Sequence, residues 1–236
     1  MFSTSAVFVG DGSLLIECAQ AYRHAGHAVL AVASHSQAIV DWAARQGIEA
    51  IRLQAGAPPE LGALEFDYLF GIAHLHVLPA SVIARARKLA INFHDAPLPR
   101  YAGLNAPSWA LMAQEPAHGI TWHEMTAAVD AGRIIKQVHF DTDAGESALS
   151  LNTKCYEAAL ASFQAIVQDL GRGQLPLTGQ RGTRSYFGAH KRPALLATLD
   201  FSQPAQTLQA LVRALDFGAY PNALACPKIY LGSQVQ

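Results

Sequence analysis

Short apolar runs alternate with helical periodicity along the first half of the chain. Ala6–Val9 is a continuous apolar run closed by Gly10-Asp11-Gly12. From Ser13 to about His24 the apolar residues Leu14, Leu15, Cys18, Ala19 and Tyr22 recur at three- and four-residue steps, which predicts a helix that Gly26 ends. Ala28–Ala33 reads as a second buried strand. Ser36 stands where it can cap a helix carrying Ile39, Val40, Trp42 and Ala43 as far as Gly47. Ile48–Ile51, Asp67–Ile72 and Leu89–Phe93 are three more strands, with a short helix from Pro79 to about Arg87 between the last two. This alternation predicts an α/β, Rossmann-like, open and mostly parallel sheet with flanking helices. Such sheets place their ligands at the carboxyl ends of the strands, here at Asn92-Phe93-His94.

The second half changes character. Two strand-like runs, Gly119–Met125 and Ile134–Phe140, flank the turn Ala127–Gly132, and a long helical pattern follows from Ser147 to about Leu170. Residues 171–188 are rich in Gly, Arg, Thr and Gln and read as a linker or irregular segment. A helix is expected over Ala205–Leu215 and the start of a strand at Lys228–Leu231. The expected division is a catalytic domain over 1–190 and the start of a carboxyl-terminal subdomain over 191–236.

Composition narrows the class. A chain of 236 residues that is 51% hydrophobic and 15% charged can build a substantial core. Its 17 basic and 18 acidic residues leave a formal charge of -1, and no stretch concentrates Lys and Arg, so nucleic acid is not an expected partner. The longest apolar runs are far too short to span a bilayer, and the start MFSTSAVFVG lacks the basic-then-apolar order of a secretory signal. Cys18, Cys155 and Cys226 are far apart, with no CxxC pair, so neither a disulfide framework nor a zinc knuckle is expected; Cys18 and Cys155 read as buried thiols. A cytoplasmic location is the expectation.

Candidate chemistry lies in four places. Gly10-Asp11-Gly12 begins a dinucleotide fingerprint, but Leu15 stands where its third glycine belongs, so a tight turn is the reading. His74 and His76 share a strand face and could form a metal pair, yet no cysteine or carboxylate nearby in sequence completes a set, and a pocket wall is preferred. Asn92 and His94 share a face at a strand end. By themselves, two polar residues on one strand face are more often structural than catalytic. Asp130, in Val129-Asp130-Ala131-Gly132, reads by itself as a turn residue. No GxSxG is present, so a Ser-His-Asp hydrolase is a poor reading.

Taken together, INFHDAPLPRYAGLNAP and HGITWHEMTAAVDAGRIIKQ resemble the folate-dependent formyltransferase family. Its strand-end N-x-H, L-P-x-[YF]-x-G loop and D-x-G turn appear here in order, and the likeness covers about residues 5–231. One departure is local: the family's S-L-L-P after the histidine is Asp95-Ala96-Pro97-Leu98-Pro99 here. The resemblance implies the formyltransferase fold, N10-formyltetrahydrofolate as co-substrate, an amine acceptor, no metal, and Asn92, His94 and Asp130 as the catalytic trio. It also implies a pterin slot between Ile72, His74, Leu75 and Val77 on one side and Met125, Ala127, Ala128 and Val129 on the other. Tyr101 and Asn105 are candidate acceptor contacts that could equally be packing, and for Trp109 packing is the favoured reading. The tail LDFGAYPNALACPKIYLG and the stretch GSLLIECA resemble formylation domains at the front of nonribosomal peptide synthetases. That implies an amino acid presented by a carrier protein as acceptor, with a free hydroxyornithine-like amine or an amino sugar as runner-up. Formyltetrahydrofolate hydrolysis and a non-catalytic folate-binding module remain the readings of other classes. Six residues after Tyr230 cannot complete a β-barrel subdomain, so a longer polypeptide with downstream domains is expected.

Overall fold

The computed structural model describes residues 3–222, 224–231 and 234–235. Ala223 and Gly232 of the tail motif, and the first two residues of the start motif, lie outside the described residues. The strands are β1 (Ser5–Gly10), β2 (Ala28–Ser34), β3 (Glu49–Arg52), β4 (Phe66–Ile72), β5 (Ala86–His94), β6 (Ala102–Gly103), β7 (Ala117–Glu124), β8 (Ile134–Asp141), β9 (Tyr186–Phe187), β10 (Tyr230–Leu231) and β11 (Gln234–Val235). The helices are α1 (Ser13–His24), α2 (Gln37–Arg45), α3 (Ala80–Ile83), α4 (Ala106–Met112), α5 (Ala148–Arg172) and α6 (Ala205–Leu215). Seven strands form one sheet in the order β3-β2-β1-β4-β5-β7-β8. The first five are parallel, and β7 and β8 run antiparallel to their neighbours.

Period-two alternation sorts the strand residues onto two cores. Ala6, Phe8, Val32, Phe70, Ile91 and Trp122 face a layer built by α1, α2 and α5, where Cys18, Trp42, Cys155 and Phe163 pack. Phe8 stacks on Phe70 at 4.9 Å. Val7, Val9, Ala31, Ala33, Leu69 and Ala90 face the other side with Leu78 and Val82. Full burial of each large apolar side chain contributes about 1.5–3 kcal/mol. Cys18 and Cys155 are buried thiols, while Cys226 is exposed. Among the described residues, no helix is long and apolar enough to cross a membrane.

Several expectations change. The helix expected from Pro79 to Arg87 ends at Ile83, because Ala86 already pairs with Phe66 as the first residue of β5. Ser36 occupies the N-cap of α2 without a side-chain cap; its N–H donates instead to Asp11 at 3.1 Å. Of the two readings of residues 171–188, the irregular segment holds from Gln174 onward and the free linker does not. Thr178 bridges Ile134, and β9 pairs with β6. The carboxyl-terminal segment also packs closely: Ala197, Leu215 and Leu224 share a cluster with Ala96, Tyr101 and Trp109.

Candidate active site

The parallel strands end on one edge, where a cavity of about 450 Å³ opens. Asn92 and His94 reach it because residues 90, 92 and 94 of β5 face away from the Ile91–Phe93 side of the strand. Pairing sets the neighbours: Gly71 lies beside Asn92 on β4, and His123 lies opposite it on β7. The Asn92 Nδ2 and His123 Nε2 are 3.2 Å apart. His123 Nδ1 donates to the carbonyl of Glu124 at 2.9 Å. With that nitrogen committed as a donor, Nε2 accepts from Asn92 in the neutral ring and donates to Asp130 in the charged ring. The Asp130 Oδ1 lies 3.3 Å from His123 Nε2, and its Oδ2 lies 3.6 Å from His94 Nδ1.

Asp130 owes its position to a strained turn. Its φ is 48°, in the left-handed region that aspartate tolerates better than most residues. The Gly103 N–H donates to its carboxylate at 2.8 Å. Gln180 donates to the carbonyls of Asp130 and Gly132 at 2.8 Å, and Arg184 donates to that of Val129 at 2.8 Å. The segment that reads as a linker is therefore the clamp on this turn. Burial works to raise the Asp130 pKa, but the His123 hydrogen bond, the His94 and His123 charges and the Gly103 N–H outweigh it and hold the carboxyl at about 2.

That depression has a sign that denaturation can test. A folded value of about 2 against 3.8 for an ordinary aspartate stabilises the folded chain by roughly 2 kcal/mol. The contribution is complete above the unfolded value and is lost as pH falls through the folded one. The stability advantage of the native chain over Asp130→Asn, read from urea melts, is expected to be present near pH 5 and to shrink between about pH 4 and 2. An advantage that does not change across that range would exclude an ionised, stabilising Asp130.

The loop after β5 orients the histidine. His94 is 5% exposed, and its Nε2 donates to the Tyr101 carbonyl at 2.8 Å, so Nδ1 is the nitrogen turned toward Asp130 and, at 3.8 Å, Asp95. Tyr101 has a φ of 58°, and its N–H donates to Ser185 Oγ at 2.7 Å. Thr121 on β7 holds the loop by donating to the Ala96 carbonyl at 2.7 Å. Gly103 is needed where it is: its φ is 100°, and a Cβ there would lie 2.2 Å from the Phe187 carbonyl oxygen.

The cavity brings together Asn92, His94, Asp130, His74, Leu75, Val77, Met125, Ala128, Val129 and Asn105. Ile72 and Ala127 are not on its wall: Ile72 is fully buried in the core, and its carbonyl accepts the Asp11 N–H at 3.2 Å. Tyr101 is also off the wall. Its ring stacks on Phe187 and its hydroxyl donates to Glu115 at 2.7 Å, so it acts on the site only through the His94 brace. Trp109 packs against Phe187 at 4.7 Å. His123, Asn152, Tyr156 and Tyr186 line the cavity without having been singled out in the sequence. His123 carries no local signal, because its partnership with Asn92 exists only through the β5–β7 register. Burial, with the neighbouring His76 and His35 rings, lowers the His74 pKa to about 4.

Gly71 supports the site by lacking a side chain. A Cβ there would lie 2.6 Å from Met125 Cε, which can swing away, and 2.8 Å from Asn92 Oδ1, which cannot without turning the amide. Gly71→Ala is expected to lower turnover at least about tenfold, as misplaced reacting groups do, with a melting temperature close to the native one. Native turnover in that variant would show that Asn92 needs no fixed orientation.

Residues 23–167 match the family described as formyl transferase. A 4-N formyltransferase from Francisella tularensis superposes with a TM-score of 0.77 at 17% identity, covering 96% of this chain and 92% of that one. An N-formyltransferase from Helicobacter canadensis, solved with folinic acid and dTDP-3-aminofucose, gives a TM-score of 0.69 at 15% identity over 90% of this chain and 80% of that one. HypX from Aquifex aeolicus in complex with tetrahydrofolic acid gives 0.69 at 18% identity over 97% of this chain but 36% of that longer one. At these identities the likeness is one of fold.

Proposed function

The chain belongs to the formyl transferase family, and on that premise we propose that it moves the formyl group of N10-formyltetrahydrofolate onto a primary amine, with Asn92, His94 and Asp130 as catalytic residues. The observation that carries the reading is the meeting of these three side chains on one cavity wall, with His123 between Asn92 and Asp130 and His94 facing Asp130 directly. The pterin of the donor is assigned to the slot between His74, Leu75 and Val77 on one side and Met125, Ala128 and Val129 on the other, all of which line the cavity. Folate ligands in the Helicobacter canadensis and Aquifex aeolicus proteins support a folate donor.

In the reaction the amine nitrogen bonds to the formyl carbon, the carbonyl oxygen takes up negative charge, and the bond from carbon to N10 then breaks. Asn92 Nδ2 and the protonated His94 Nδ1 are the donors aimed at that oxygen. The attacking nitrogen loses one proton and N10 gains one. Asp130 faces the His94 nitrogen and carries the proton between them, directly or through water; a carboxyl with a pKa of about 2 passes a proton on rather than keeping it. No covalent bond to the protein is required.

For the acceptor we propose the amino group of an amino acid held on a carrier protein, on the strength of the tail LDFGAYPNALACPKIYLG. An amino-sugar acceptor is the second reading, favoured by the dTDP-3-aminofucose in the Helicobacter canadensis protein. Under the first, residues 1–190 form the catalytic unit, and Ala197, Leu215 and Leu224 of 191–236 pack against Trp109 of α4. The test is tetrahydrofolate release from N10-formyltetrahydrofolate with an aminoacyl carrier protein, with nucleotide-linked amino sugars, and with water alone. Release that needs the carrier substrate supports the full reading. Release with amino sugars only replaces the acceptor, full-rate release without any amine means hydrolysis, and no release in any arm leaves a binding module.

A further inference from the structure

Near in sequence, His74 and His76 have no carboxylate to complete a metal set. The fold supplies one. In the strand order β2-β1-β4 the three carboxyl ends lie side by side, and they carry His35, Asp11 and His74 respectively. This is the point where the chain reverses its direction of travel across the sheet, the usual crevice for ligands in such folds. One candidate ligand atom from each residue lies within 4.8 Å of the other two. Tetrahedral ligands on one zinc, at bonds of about 2.0–2.1 Å, are separated by roughly 3.3–3.4 Å, so side-chain rotations that draw the three together by about 1 Å close the set.

Two further observations point to a ligand. Three donors hold Asp11 in place through one oxygen: Oδ1 accepts from Ser34 Oγ at 2.6 Å, from the His35 N–H at 3.0 Å and from the Ser36 N–H at 3.1 Å. Its Oδ2 is turned to His35 Nδ1 at 3.1 Å. A carboxylate oriented by neighbours through one oxygen, with the other facing a second candidate ligand, is an arrangement that metal ligands adopt, and an ion would take the place of the Oδ2–His35 hydrogen bond. The Nδ1 of His74 is buried and has no hydrogen-bond partner among the described residues, and buried polar atoms of that kind call for an explanation. The rings of His35 and His74 lie parallel, 5.9 Å apart.

We propose that Asp11, His35 and His74 bind a divalent first-row transition-metal ion, zinc first among them, at a site separate from the formyl-transfer trio. Two imidazoles and one carboxylate suit zinc, nickel or copper, whereas magnesium and calcium favour oxygen donors throughout. Three protein ligands leave a position open to water. The ion ties the loop bearing His74, one wall of the cavity, to the ends of β1 and β2, and it takes no part in the transfer step.

The experiment is calorimetric titration of the chelator-stripped full chain with zinc, together with zinc-edge X-ray absorption on the loaded chain. One ion per chain is expected, with micromolar or tighter affinity and the scattering of two imidazoles without sulfur. His35→Ala and His74→Ala are each expected to weaken binding at least about tenfold, and Ser34→Ala, which loosens Asp11, by about tenfold. Absence of a one-to-one event, sulfur in the zinc shell, or unchanged affinity in both histidine variants would overturn the site. The absorption spectrum of the native chain decides this even where a variant fails to fold. None of these readouts depends on formyl transfer, so failure here leaves the proposed function untouched.

Discussion

His94→Ala is expected to lower turnover at least about a hundredfold, the scale on which a lost oxyanion donor or acid-base group acts. The structure argues for a loss of chemistry with the fold retained. His94 ends β5, where its backbone pairs with Thr121, and that pairing does not depend on the imidazole. What the ring alone supplies is Nδ1, held 3.6 Å from Asp130 by the Nε2 bond to Tyr101. Asn92→Ala and Asp130→Ala are expected to cost as much, and a pair of these changes little more than either, because groups acting as a unit are not additive. Single-turnover release of tetrahydrofolate checks this, with circular dichroism to confirm folding. Near-native turnover in His94→Ala would remove the mechanism.

Gly132→Ala should be almost as damaging, from a residue with no chemistry. A Cβ at Gly132 would lie 1.8 Å from the Glu124 carbonyl oxygen and 2.7 Å from its carbon. Both are main-chain atoms, so no side-chain rotation relieves the overlap, and the strands flanking the turn must part. Asp130 sits two residues away with its backbone held in place by Gln180. A displacement of about 1 Å at a reacting group can cost about a hundredfold, and that is the expected fall in turnover. Folate binding, measured separately, should weaken less than turnover falls, since the His74 side of the slot does not move. Equal losses would mean that the turn holds the donor more than it places Asp130.

Much of the strand-helix order was legible because the buried strands are short apolar runs and the helices carry three-to-four periodicity. The helix Ala205–Leu215 has the bounds its pattern predicts. The helix after Pro79 is shorter than expected, because strand pairing at Ala86 overrides a local preference. The catalytic candidates were legible only as a set of motifs in order, since neither Asn92 and His94 nor Asp130 stands out by itself. Ile72, Tyr101 and Ala127 look like wall residues in the sequence, yet burial and main-chain roles take the first two off the cavity.

By itself, the sequence determined an open α/β sheet, the strand end where chemistry belongs and the three residues that resemble a formyl-transfer trio. The first two follow from local periodicity and from where such sheets place their ligands; the trio is what the resemblance to the formyltransferase family implies. Only the tertiary structure decided that His123 joins Asn92 to Asp130, that Gln180 and Arg184 clamp the turn, and that Asp11 and His35 lie beside His74. Each of those contacts spans strands or loops far apart in sequence, and strand order and register, not local propensity, set which residues meet.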